Sequence, residues 1–113
     1  MNYISRYNGN CILEWDGTYL SRHNGGKLLK FDGKSILENN GSKLYEWDGK
    51  YLSRKSGDKL FDADGQHIRQ HNGNRVLTLD GQYISQYNGN RLFKIDGIIP
   101  EPIQILVGTG LIL

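Results

Sequence analysis

The chain has 113 residues, 37% hydrophobic and 23% charged, which is enough for one domain with a modest core. Its formal net charge of +2 argues against nucleic acid as a main partner. Cys11 is the single cysteine, which excludes an intrachain disulfide and favours a reducing compartment. The segment after Met1, NYISRYNGN, has no signal-peptide pattern and no stretch predicts a transmembrane helix, so we expect a cytoplasmic protein.

Glycine recurs every eight residues from Gly9 to Gly97, preceded alternately by Asn (once Ser) and by Asp. Asn-Gly and Asp-Gly favour two-residue type I′ hairpin turns, in which both central residues have positive φ. Six residues separate successive turns, which is a common strand length. The spacing therefore predicts an all-β meander of about twelve six-residue strands over residues 1–97, in six 16-residue hairpin repeats. No helix is expected before residue 98.

Two-residue turns would fix the register and so divide the residues between two faces. One face is apolar throughout and is the predicted core: Ile4, Leu13, Leu20, Leu29, Ile36, Tyr45, Leu52, Phe61, Ile68, Leu77, Ile84 and Phe93. The opposite face is half apolar, so we expect it to be only partly solvated: Ser5, Ile12, Ser21, Leu28, Leu37, Leu44, Ser53, Leu60, Arg69, Val76, Ser85 and Leu92.

A flat meander of twelve strands would expose two edges and an apolar face. The sheet must therefore close into a barrel or divide into several small sheets around an axis, and the short strands favour the second arrangement. The tripeptide YLS at 19 and 51 hints at units of four strands, whereas the spacing of eight equally permits four units of three. The symmetry stays open.

Tandem units of the form WDGxYLSRxNGxKLxxFDG, followed by an apolar tail, resemble the four-fold β-flower domain family of small bacterial proteins, mostly of unknown role. The resemblance covers about residues 2–97. It implies short hairpins arranged as petals around an axis and carries over no functional residues. The recurrence of the tripeptide YLS after 32 residues suggests three-fold grouping instead.

The tail, residues 98–113, does not continue the eight-residue spacing of glycine, and Pro100 and Pro102 end the meander. The remaining apolar residues are too few to span a bilayer as a helix. We predict a last strand that plugs the axis or covers an edge, packed in the core of the same domain, with 103–113 mostly buried. Docking to a membrane or a partner is the alternative.

No motif predicts a catalytic, cofactor or metal site. His67 and His71 are too far apart along a strand to chelate one metal, and we interpret both, with His23, as surface residues beside turns. Turn chemistry explains the six turn aspartates without calcium.

Four serines recur beside four tyrosines, Tyr3, Tyr19, Tyr51 and Tyr83. The serines are most simply packing complements. The tyrosines, beside Asn-rich turns, could also bind a sugar by ring stacking. We therefore predict a non-enzymatic structural or protein-interaction module, associating with itself or with another protein, and keep a carbohydrate-binding module as the alternative.

The meander also predicts a polar distribution of charge, with all Asp-Gly turns at one end and all Asn-Gly or Ser-Gly turns at the other. Lys55 and eight further cations lie near the Asn-Gly end, against Glu38 and Asp58. The eight form a candidate surface for an anionic partner: Arg6, Arg22, Lys27, Lys43, Arg54, Lys59, Arg75 and Arg91. The Asp-Gly end is acidic, so the acidic end of another copy is one such partner.

Overall fold

The computed structural model describes residues 2–23, 25–64, 66–71 and 73–110. Asn24, Gly65 and Asn72 of the predicted turns lie outside the described residues, as do residues 111–113 of the predicted tail. Within the described residues the chain is β-structure with one short helix, which confirms the all-β meander. No helix in that part is long and apolar enough to cross a membrane.

The strands are four to six residues long and lie between the predicted turns, except that β8 and β12 extend to the turn aspartates Asp64 and Asp96. Their bounds are β1 Asn2–Arg6, β2 Cys11–Trp15, β3 Tyr19–Arg22, β4 Lys27–Phe31, β5 Ser35–Glu38, β6 Lys43–Trp47, β7 Tyr51–Arg54, β8 Lys59–Asp64, β9 His67–Gln70, β10 Arg75–Leu79, β11 Tyr83–Gln86 and β12 Arg91–Asp96.

The sheet is one closed barrel around a single axis, rather than the several small sheets that strand length favoured. β1 pairs with β12, and Ile4 faces Ile95 across that junction. At the Asp-Gly turns the register is displaced by two residues from that of a two-residue turn, so that Trp15 faces Leu20. These displacements repeat around the ring and supply the stagger that a closed barrel requires.

The predicted type I′ turns are wrong, because no described residue other than glycine has positive φ. In the first Asn-Gly hairpin, Gly9 has a φ of 123° and its N–H donates to the carbonyl of Arg6 at 2.9 Å. The N–H of Arg6 in turn donates to the carbonyl of Asn10 at 2.7 Å. This is a three-residue hairpin with a glycine bulge, which needs positive φ only at the glycine.

In four Asp-Gly turns, the aspartate side chain itself closes the loop. Oδ1 of Asp16 accepts the N–H groups of Thr18 and Tyr19 at 2.8 and 2.7 Å. Asp32, Asp48 and Asp80 accept the corresponding two bonds in their own turns. Because the side chain supplies these acceptors, the aspartate keeps a negative φ.

Each strand that follows an Asn-Gly or Ser-Gly turn carries a β-bulge. Ile4 faces Leu13, but the next residue, Ser5, faces Cys11, so that Ile12 is an extra residue on β2. The same shift recurs in the other five hairpins of this kind. The bulge places the first residue of the strand opposite an outer-face residue.

The predicted core face is confirmed, because the displacement at the Asp-Gly turns is an even number of residues and leaves every side chain on its face. Nine of its residues are at most 4% exposed: Ile4, Leu13, Leu20, Leu29, Ile36, Leu52, Ile68, Leu77 and Ile84. Tyr45, Phe61 and Phe93 are half-buried and pack against them. The opposite face is also half-buried, as the sequence predicts.

The tail packs in the core as predicted, but as a helix, α1 Glu101–Gly108, rather than a strand. Residues 102–107 are buried, and Ile103, Ile105, Leu106 and Val107 belong to the same cluster as the inner face of the barrel. A closed barrel offers no edge for another strand, so the buried backbone must satisfy its own hydrogen bonds, which a helix does. Gln104 donates its side-chain N–H to the carbonyl of Ile99 at 2.8 Å.

Candidate functional site

Closure of the meander places the two kinds of turn on opposite rims of the barrel. We call the first the Asn-Gly mouth. Its inner face carries Arg6, Arg22 and Arg54, each two residues after a buried member of the core row and each exposed. None of these arginines forms an ion pair with a described residue. Glu38, Gln70 and Gln86 occupy the remaining places of this ring.

The opposite rim, which we call the acidic rim, carries the turn aspartates. The backbone N–H groups of Tyr19 and Thr18 lower the pKa of Asp16, since they stabilise the ionised carboxylate. The corresponding bonds lower the pKa of Asp32 and Asp48. All three side chains are exposed. Each therefore presents a fixed, ionised carboxylate to solvent.

Three of the four candidate sugar-binding tyrosines have a cation over the ring. Nζ of Lys27 lies 4.2 Å from the ring centre of Tyr19, and Nζ of Lys59 lies 4.2 Å from that of Tyr51. The Arg91 guanidinium lies 4.2 Å from the ring centre of Tyr83. The bulge explains why these cations meet tyrosines. It turns the first residue of β4, β8 and β12 to the outer wall, the face of the barrel opposite the core, where the tyrosines lie.

These contacts divide the predicted basic surface. Lys27, Lys59, Arg75 and Arg91 lie over tyrosine rings on the outer wall, where cation–π contact holds them. Lys43 lies 4.0 Å from Glu46. The arginines of the Asn-Gly mouth, Arg6, Arg22 and Arg54, are the part of the set that stays unpaired among the described residues.

Two exposed tyrosines that the sequence did not single out flank the Asn-Gly turns. Tyr7 and Tyr87 are 51% and 53% exposed. Tyr7 packs edge-on against Tyr83, with 5.9 Å between the ring centres. A hydrogen bond with the Tyr7 side chain raises the pKa of Arg91. Their positions immediately before Asn-Gly could have identified them in the sequence. Only the structure shows that Tyr7 contacts Tyr83 and that Tyr87 contacts His67.

Open grooves recur between successive hairpins near the Asn-Gly mouth. The groove lined by Leu44, Tyr45, Arg54, Lys55 and Ser56 has a volume of about 600 Å³. Equivalent grooves precede and follow it in the neighbouring repeats, with volumes of about 470 and 500 Å³. The first contains Glu38 and the last contains Lys59 and His71, so the groove with both Arg54 and Lys55 has the most positive charge of the three.

The histidines do not form a metal centre in the part of the chain that the structure describes, where no suitable group of three ligands occurs. His23 and His71 are exposed beside turns, as predicted, and pair with Glu14 at 2.7 Å and Asp62 at 3.2 Å. His67 differs from the prediction because it is half-buried, and its Nδ1 is fully buried.

Cys11 and Glu14 both approach His23, but their arrangement does not activate the thiol. The Cys11 sulfur lies 3.6 Å from Nδ1 of His23, the same nitrogen that contacts Glu14. A nucleophile and an orienting carboxylate need opposite nitrogens of the ring. Burial raises the pKa of the Cys11 thiol, which favours the protonated form.

No family model, curated protein or solved structure matches this chain. The resemblance to the β-flower family therefore stays a hypothesis from the repeat motif. Function has to be argued from the surface of the barrel.

Proposed function

We propose that this protein is a non-enzymatic interaction module that binds an acidic protein surface through its Asn-Gly mouth. The observation that carries the proposal is the ring of exposed arginines, Arg6, Arg22 and Arg54, without ion-pair partners among the described residues. A charged ring of this kind attracts a partner of opposite charge and orients it before contact.

The groove beside Arg54 adds apolar contact to this charge. Leu44 and Tyr45 are half-buried there and lie beside the cations Arg54 and Lys55. An acidic segment with one apolar side chain fits both features. Carboxylates would pair with the cations, and the apolar side chain would cover Leu44.

A second copy offers a surface of the required sign. The carboxylates of Asp16, Asp32 and Asp48 on the acidic rim are held by their own turns and point into solvent. Head-to-tail contact of this kind is heterologous, so it builds open stacks rather than closed dimers.

The carbohydrate alternative has less support. The cations over Tyr19, Tyr51 and Tyr83 occupy ring faces that a sugar would need for stacking. A sugar would have to displace a lysine or an arginine from each ring.

A labelled hexaglutamate peptide provides a direct test, with binding measured by fluorescence anisotropy. We expect binding that weakens as salt rises from about 0.05 M to about 0.5 M, since exposed charges are then screened. The double variant Arg22→Gln, Arg54→Gln should bind the peptide about tenfold more weakly, because it removes two of the three mouth arginines.

The matched control is Lys30→Gln, Lys34→Gln, which removes the same charge near the acidic rim. Equal losses in both double variants would mean that only net charge matters, and the proposal would then fail. Binding that ignores salt would also contradict it.

A further inference from the structure

The outer wall of β9 differs from that of β3, β7 and β11 at two positions. His67 stands where β3, β7 and β11 begin with Tyr19, Tyr51 and Tyr83. Arg69 stands two residues later, where the same three strands carry serine. Both side chains share the outer face, because Ile68 between them is fully buried. His67 and Arg69 therefore place two side chains with N–H donors close together on the outer wall of β9.

Arg69 directly faces a second arginine, Arg75, on the neighbouring strand β10. Like charges in directly opposed positions destabilise a sheet unless something lies between them. Arg75 rests against the ring of Tyr87, with 5.7 Å between its guanidinium carbon and the ring centre. It forms no ion pair with a described residue.

Two carboxylates lie on the other side of Arg69, but they leave part of the guanidinium free. Oδ2 of Asp64 accepts a hydrogen bond from Nη2 of Arg69 at 3.1 Å. Asp62 faces Arg69 from β8 but is held by His71 at 3.2 Å. Neither carboxylate contacts Nε of Arg69.

Two buried nitrogens in this cluster have no hydrogen-bond partner among the residues that the structure describes. They are Nε of Arg69 and Nδ1 of His67. A buried polar group without a partner costs about 1 to 3 kcal/mol, more when it is charged. Arg75 and Tyr87 border this cluster and are both exposed, and the Tyr87 ring packs edge-on against His67 at 6.4 Å.

We propose that a tetrahedral oxyanion of the phosphate class binds on the outer wall between Arg69 and Arg75. It would accept hydrogen bonds from Nε of Arg69 and from the Arg75 guanidinium, with His67 as a further donor. An oxyanion removes the repulsion between the arginines and gives the unpartnered donors an acceptor. This site lies on β9 and β10 and is independent of the Asn-Gly mouth.

The test is titration with inorganic phosphate, followed by isothermal calorimetry. Arg69→Ser introduces the residue that β3, β7 and β11 carry at this position, so the barrel should fold normally. We expect Arg69→Ser and Arg75→Gln each to weaken phosphate binding at least about tenfold, the loss expected when one charged donor is removed. Arg91→Ser is the matched control, because Arg91 faces Ser85 rather than a second arginine.

Equal phosphate affinity in the parent protein, Arg69→Ser and Arg91→Ser would overturn the proposal. Loss in Arg91→Ser as large as in Arg69→Ser would do the same, since it would show attraction by charge alone. The double variant Arg22→Gln, Arg54→Gln should keep its phosphate affinity, which separates this site from the interaction surface at the mouth.

A second titration identifies the source of the anion. Tighter binding of O-phosphoserine than of inorganic phosphate would assign the site to a phosphorylated side chain. Weaker binding would assign it to the free anion. Acetate should compete much more weakly, because it has one charge and two acceptor oxygens, against up to two charges and four oxygens on phosphate.

Discussion

Gly108, the last residue of α1, lies so close to Ile84 on β11 that a β-carbon on it would fall 2.7 Å from the Ile84 side chain. Leu77 on β10 would be equally close. The helix thus touches the inner wall of the barrel where even a methyl group has no space. Glycine is required here for close approach, not for a turn.

We therefore expect Gly108→Ala to lower the free energy of unfolding by about 1 to 3 kcal/mol, the usual cost of overpacking. Urea denaturation followed by tryptophan fluorescence measures the change. Gly26→Ala is the control, because nothing lies within 4 Å of its β-carbon position. If the two substitutions cost the same, the helix does not press against the wall.

The helix should also contribute much of the stability of the barrel, because its side chains fill the interior. Leu106 is fully buried, so Leu106→Ala should lower the free energy of unfolding by about 2 to 5 kcal/mol. Ile98, just before the helix, is 81% exposed, and Ile98→Ala should change it by less than about 0.5 kcal/mol. Thermal denaturation of the two variants decides whether α1 is structural or dispensable.

The aspartate turns predict a loss of stability in acid. The folded-state pKa of Asp48 is lowered by the N–H groups of Tyr51 and Lys50, so its contribution is present above the unfolded pKa, about 3.9. That contribution is lost as pH falls through the folded-state pKa. Asp48→Ala should lower the melting temperature by a few degrees at pH 7, and the difference should shrink below about pH 4.

Asp48→Asn tests whether the bonds or the charge matter. An asparagine oxygen still accepts both N–H groups, so this variant should keep part of the stability at pH 7 and lose the dependence on acid. An Asp48→Ala variant that melts like the parent protein at neutral pH would show that the turn forms without the side chain.

Glu101 predicts the opposite dependence on pH. Burial raises its folded-state pKa, so its contribution to stability is greatest below the unfolded pKa, about 4.3, and is lost as pH rises through the folded-state pKa. Glu101→Gln should therefore melt slightly higher than the parent protein at pH 7 and equally at about pH 4. Glu38→Gln, an exposed carboxylate, is the control. A lower melting temperature for Glu101→Gln at pH 7 would show that attraction to the helix N-terminus outweighs burial.

The sequence by itself determined the strands, the two faces and the opposite rims. An eight-residue spacing of glycine leaves room only for short strands joined by turns, and Leu13 and Trp15 on either side of Glu14 assign the inner face. The core row was predictable although the turn geometry was not, because an even displacement of register leaves each side chain on its face. Asp16 was correctly placed in a turn, but its two side-chain bonds were not predicted.

Only the tertiary structure decided the closure, the helix and the division of the cations. Closure depends on the pairing of β1 with β12, which are far apart in sequence, and local patterns carry no information about such pairs. The tail became helical because the closed barrel left no edge for it to join. Arg54 and Lys59 lie at equal distances on either side of the same Ser-Gly turn, yet a bulge directs Lys59 to the Tyr51 ring on the outer wall and leaves Arg54 at the mouth. A shift of one residue in register reverses the direction of a side chain, and only the paired strands fix where that shift occurs.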